Sequence, residues 1–179
     1  MPRDPADLPW QWMVHFYGRA VEIPGLLSGI ERDNPHLAIE RLARVLEHQD
    51  GVIQSTPFAV FHMCSSVATT TGNEKLENVI SLIYGSAKFQ LSYRRESGVL
   101  PSLAELIDEQ RLWPEFTGDR EDDILWEKWE PPESEHFGWA AATRRIIELS
   151  CLSLLHVSDR PMMRARNLSL PPGFAEQRR

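Results

Sequence analysis

The chain has little of what marks a membrane, secreted or metal-binding protein. It carries two cysteines, Cys64 and Cys151, in neither CxxC nor zinc spacing. That composition leaves no disulfide scaffold and no cysteine zinc site. Both cysteines fall in helical apolar patterns and read as buried free thiols in a reducing cytosol. No apolar run is long enough to span a bilayer. The longest apolar helical stretch, near 137–157, is interrupted by Arg144, Arg145 and Glu148. The opening Met1-Pro2-Arg3-Asp4-Pro5 lacks the apolar core of a secretory signal. A cytoplasmic location is therefore expected. Strand patterning is also scarce, since Val52-Ile53 is too short to count.

Positive charge is in deficit. Nineteen Lys and Arg face 26 Asp and Glu, for a net charge of −7. Such a balance argues against general nucleic-acid binding and against anionic membranes, and leaves a basic protein partner open. Catalytic patterns are missing as well. His15, His36, His48, His62, His136 and His156 are scattered, with no i,i+4 pair and no HExxH, so no metal ligands are assigned. Cys64 follows His62 by two residues, which on a helix turns them to different faces. There is neither a phosphate-binding Walker loop nor a GxGxxG. No catalytic residue and no cofactor are nominated, and the chain is not expected to be an enzyme.

What is present is helical. The 179 residues are 42% hydrophobic and 25% charged, enough for one well-packed domain. After a Pro-rich lead-in (1–9), Trp10, Met13, Val14 and Tyr17 have helical spacing, and Gly18 is expected to end that first helix. Ile23, Leu26, Leu27 and Ile30 follow, with Pro24 marking a helix start. Asp33-Asn34-Pro35 breaks the chain, and Ile39, Leu42 and Leu46 form the next stripe. Val60, Met63, Cys64 and Val67 line a helix beginning at Pro57. Residues 74–95 give the clearest amphipathic helix, with Asn73 as its cap. Ser102 and Glu105 have capping-box spacing. Ser134 is expected to cap a last long helix over 135–157, whose apolar residues wrap widely enough for burial between two neighbours. A basic tail follows at 160–179.

One corner organises these helices: Glu47-His48-Gln49-Asp50-Gly51, then Val52 to Pro57. Asp50-Gly51 reads as a turn pair, with Gly51 closing the preceding helix. Ser55 or Thr56 caps the next, and Pro57 fits its first turn. His48, Gln49 and Gly51 are expected to form a structural corner, the His-Gln pair bonding the neighbouring turn and locking two helices.

A second stretch stands out by charge. Residues 115–135 hold nine carboxylates against Arg120 and Lys128. We expect a loop here, with Asp119, Glu121, Asp122, Asp123, Glu127 and Glu130 steering a basic partner and Trp126 and Trp129 serving as anchors. The alternative is an ordinary solvated loop.

Pro24 and Pro57 lie 33 residues apart, each opening a helix followed by another, and Pro101 repeats the start 44 residues later. Such periods suggest stacked helix pairs. Tyr17-Gly18-Arg19-Ala20-Val21-Glu22-Ile23-Pro24-Gly25-Leu26-Leu27, followed by His48-Gln49, Val52 and Thr56-Pro57, resembles a group of bacterial HEAT-repeat proteins. They carry a Tyr-Gly-x-Ala-x-x-[Ile/Val]-Pro-x-Leu-Leu opening and a later His-Gln-Gly corner. The likeness covers about residues 10–70. Asp50 departs from it by standing where the group has Gly. The resemblance implies an all-α fold, a HEAT-like α-solenoid or compact helical bundle of antiparallel pairs. It also implies protein binding, including immunity proteins that neutralise secreted toxins. By analogy of fold, the expected function is neutralisation of a toxin effector through the acidic surface. An adaptor or assembly scaffold without a toxin, and an enzyme of unrecognised type, are the alternatives.

Overall fold

Helix starts in this chain follow its prolines and caps. Pro24 sits in the first turn of α1 (Ile23–Gly29), where its missing N–H leaves no bond unmade. Pro35 precedes α2 (His36–Leu46), and Pro57 lies in the first turn of α3 (Thr56–Thr69). Asn73 caps α4 (Glu74–Ser92), its side chain accepting the Leu76 N–H. The last helix, α5, spans Glu133–Ser150. The computed structural model describes residues 7–32, 35–69, 73–95, 99–102, 105–107 and 131–151. Among these the chain is mostly helical, with five α-helices, as the periodicity requires. No helix among the described residues is long and apolar enough to cross a membrane.

Burial follows the stripes. Ile39, Leu42, Val45 and Leu46 on α2 are wholly buried, as are Leu76, Ile80, Ile83 and Ala87 on α4. By contrast, α3 carries little amphipathic bias. Phe58, Ala59, Val60, Met63 and Cys64 are all inside, and the helix packs against α1, α4 and α5. A helix apolar over most of its surface needs neighbours over most of it, and α3 leaves the face of Ser65 and Ala68 to water. α5 supplies one of them, lying against both α3 and α4 with Trp139, Ala140 and Ile147 buried. Those two contacts account for the buried part of its apolar wrap, whereas Leu149 stays exposed. At its end Cys151 meets Cys64 of α3. Both are buried free thiols, and the hydrogen bond to Cys151, with burial, pushes the Cys64 thiol up.

Several local expectations give way. Trp10 does not open a helix. Trp10–Trp12 form a 3-10 turn, and Val14–His15 (β1) then pairs antiparallel with Gly18–Arg19 (β2). Gly18, at φ +132°, serves this hairpin rather than a helix end. A second hairpin pairs Glu47–His48 (β3) with Gly51–Val52 (β4). Two-residue strands carry no readable alternation, which is why neither was expected. Ser134 is not the cap of α5, which begins one residue earlier, after Pro132, without a side-chain cap. Ser102 and Glu105 do form the reciprocal box: Ser102 N–H donates to Glu105 Oε2 at 2.7 Å, and Glu105 N–H to Ser102 Oγ at 3.4 Å. A 3-10 turn over Glu105–Ile107 follows. Asp33 and Asn34 of the expected break, and helix residues 152–157, lie outside the described residues.

Two glycines test this packing. A Cβ at Gly138 of α5 would lie 2.7 Å from Pro101 Cγ and 3.1 Å from its Cδ. Gly138→Ala is therefore expected to lower unfolding free energy by about 1–3 kcal/mol. Gly25 of α1 has nothing within 4 Å, so Gly25→Ala should raise it by about 0.5–1 kcal/mol. Urea unfolding of both variants decides, and equal effects would refute the seating of α5 on Pro101.

Candidate functional site

The corner between α2 and α3 is a hairpin, and its geometry comes from two residues. Gln49 and Asp50 have φ of +53° and +61°. A two-residue loop with both central residues at positive φ is a type I′ turn, whose twist matches the strands it joins. Gly51 is thus a strand residue and closes no helix; the left-handed positions fall on Gln49 and Asp50. Asp tolerates that region, and Gln less well. Glu47 holds the turn from beneath, its Oε1 accepting the Asp50 N–H at 3.0 Å and the Ser86 hydroxyl of α4 at 3.1 Å. Burial raises the Glu47 carboxyl above its ordinary range, and the Ser86 bond opposes that.

The locking of the corner differs from expectation. His48 and Gln49 are exposed, and no hydrogen bond runs from either side chain to a neighbouring turn among the described residues. Along a strand side chains alternate, so Glu47 turns inward and His48 outward. His48 instead lies against rings of the first hairpin's loop, 5.6 Å from Phe16 and 6.0 Å from Tyr17 between centroids. The locks are Gln54, Thr56 and Gln90. Gln54 Oε1 accepts the Val14 N–H at 3.0 Å. Thr56 Oγ1 donates to Leu46 C=O at 2.7 Å and accepts from Ile53 N–H at 3.1 Å. Gln90 reaches from α4 in both directions, accepting from Val52 N–H at 2.7 Å and donating to His136 C=O of α5 at 2.8 Å.

Beside the first hairpin a charged cluster fixes α2. Glu22 takes Arg41 Nε at 3.2 Å and Nη2 at 2.9 Å, and its Oε1 lies 3.1 Å from the buried His15 Nε2. Tyr17 N–H donates to His15 Nδ1 at 3.0 Å. The neutral imidazole satisfies both bonds, with its proton on Nε2. Burial lowers His15 below the usual imidazole range, against the pull of Glu22.

A cavity of about 510 Å³ opens between the corner, α4 and α5. The corner contributes Gln49, Asp50, Gly51, Val52 and Ile53, and the first hairpin's loop adds Phe16. From α4 come Phe89, Gln90 and Tyr93. Pro131, Glu133, His136 and Phe137 close the far side. Phe89 and Tyr93 stack edge-on, 5.0 Å apart, and stay 44% and 62% exposed. Asp50 and Glu133 bring carboxylates to the lining, and neither joins an ion pair among the described residues. His136 is kept below the ordinary imidazole pKa by burial, so among the described residues the lining carries no cation at neutral pH.

Of the residues singled out from sequence, Gln49 and Gly51 line this cavity and His48 stands outside it. Asp119, Glu121, Asp122, Asp123, Trp126, Glu127, Trp129 and Glu130 lie outside the described residues. Pro131, the next residue after Glu130, lines the cavity. Phe89, Gln90, Tyr93 and His136 were not anticipated. A signal existed for two of them: Phe89 and Tyr93 are four apart and off the buried stripe of α4. Among the described residues no group of three or more His, Cys, Asp and Glu could hold a metal ion. Compared with protein-family models, with curated proteins and with solved structures, the chain matches none.

Two outcomes follow from this geometry. Gln90→Leu strands the partly buried Val52 N–H and is expected to cost about 1–3 kcal/mol, read as a lower urea midpoint. Gln90→Leu at wild-type stability would refute the bridge. His15 stays neutral in the folded state while the unfolded chain takes up a proton near its ordinary pKa of 6.5. Its stabilisation is therefore complete above that value and lost as pH falls from there through the folded pKa. Between pH 7.5 and 5.5 the wild type should lose more stability than His15→Asn, whose Oδ1 can still accept from Tyr17. Parallel stability–pH curves would refute the assignment.

Proposed function

We propose that this chain is a protein-binding helical domain that captures a basic partner and, as an immunity protein does, neutralises it as a toxin effector. The observation that carries the reading is the cavity. Exposed aromatic side chains meet there with two carboxylates that join no ion pair among the described residues, and its far wall, from Pro131 to Phe137, takes in the end of the acidic run 115–135. Aromatic side chains in a wettable groove supply anchors, and a field of one sign steers an oppositely charged partner. Carboxylates within 115–135 extend that field. The likeness of residues 10–70 to bacterial HEAT-repeat proteins supports binding over catalysis, and so do the contacts of α1 with α2 and of α3 with α4, which suit stacked pairs. The cytoplasmic location belongs to this same reading.

The test is capture from source-cell lysate at low and high salt, with mass spectrometry of what is retained. A single basic protein, lost at high salt and losing its activity in the complex, is the expected result. Asp122→Ser, Asp123→Ser and Glu127→Ser together should weaken that complex about tenfold or more and flatten its salt dependence. Unchanged affinity and salt response in the triple variant would overturn the role of the acidic segment. A complex that forms without inhibition would replace neutralisation by the scaffold reading.

A further inference from the structure

We infer that the cavity between the corner, α4 and α5 receives an arginine side chain of the protein partner. The inference rests on the binding reading above and names the group that fills the site.

Three features select a guanidinium. Phe16, Phe89 and Tyr93 present rings, and a planar cation stacks on ring faces. Asp50 and Glu133 come from different elements, the corner turn and the first turn of α5, and neither is engaged by a cation among the described residues. The one amide bridging the walls, Gln90, already spends its oxygen on Val52 and its nitrogen on His136. The Gln49 amide and the neutral His136 ring also line the cavity, but the carboxylates are the charged acceptors among the described residues, and a forked donor can meet a carboxylate with two parallel bonds.

Other occupants fit less well. An anion would meet Asp50 and Glu133 with no cation among the described lining residues to offset them. It would find little attraction at the α5 N-terminus, whose partial positive charge Glu133 and Glu135 of the first turn already answer. A purely apolar helix would bury both carboxylates without partners, which is costly. The cavity, about 510 Å³, is within the ordinary range for a bound group and leaves room for the arginine stem.

The test uses the full chain labelled with ¹⁵N and titrated with blocked tri-arginine, tri-lysine and tri-citrulline peptides. Tri-arginine should shift the amides of Gly51, Val52, Phe89 and Tyr93 in a saturable way. Tri-lysine should bind roughly threefold or more weakly, since it lacks the planar fork. Tri-citrulline, of similar shape without charge, should leave those amides in place. Asp50→Asn with Glu133→Gln should weaken tri-arginine about tenfold; Asn tolerates the positive φ of position 50. Phe89→Leu with Tyr93→Leu changes only exposed rings and gives a second variant of the same expected effect. No saturable shift at those amides, an equal response to tri-citrulline, or undiminished binding by a folded variant would overturn the assignment. Partner capture that persists while tri-arginine binding is absent removes this site alone. Tri-arginine binding without any retained basic partner removes the neutralisation reading alone.

Discussion

The Val14 peptide is gripped from both ends by the residues that follow the second hairpin. Its N–H goes to the fully buried Gln54 side chain, and its C=O takes the Ser55 N–H at 3.2 Å. Phe16 N–H reaches Val45 C=O at 3.2 Å. The two bonds to Val14 join residues about forty apart and the Phe16 bond residues about thirty apart, so they close only when both hairpins are in place. The interior tolerates them because each of these N–H groups meets an acceptor, and a missing partner in that setting would cost more than the bond contributes. Everything downstream inherits the register: Thr56 fixes the start of α3 against the end of α2, and Gln90 hangs α4 and α5 on β4.

Helix positions were legible from the amino-acid order because a 3.6-residue period survives over ten or more residues. The stripes of α2 and α4 are buried as their spacing demands, and Asn73 and the Ser102–Glu105 box cap as composition suggests. The hairpins were illegible because two residues make no period. Pairing there is decided by positive φ at Gln49 and Asp50, one place earlier than the glycine implied. His48 and Gln49 were sound markers of the corner and poor guides to its bonds. A long polar side chain looks like a lock wherever it stands; only the strand's alternation reveals that Glu47 faces in and His48 out. Gln54 and Gln90, the actual locks, sit within apolar surroundings and have no distinguishing pattern.

The cavity was the least legible feature, for a topological reason. Its walls come from four stretches of the chain, and no local window contains more than one. Charge told part of the story, since the carboxylate-rich run leads straight to Pro131. The aromatic contribution from α4 became visible only when its exposed side was set against the corner. Gln90 also makes the cavity stiff in one respect: it is bonded to β4 and to α5 at once, so neither wall can move without straining the other.

A different consequence attaches to α3. It is a helix buried over most of its surface, open to water along Ser65 and Ala68, and covered partly by α5, which begins where the acidic stretch ends. Read for composition, that stretch resembles a hinge between two parts of a protein. Yet Leu106 before it and Trp139 after it belong to the same buried cluster. Dividing the chain there would uncover the apolar surface that Trp139, Ala140 and Ile147 now shield, and would leave each piece with an open seam. The residues on either side of the carboxylate run thus share one continuous interior.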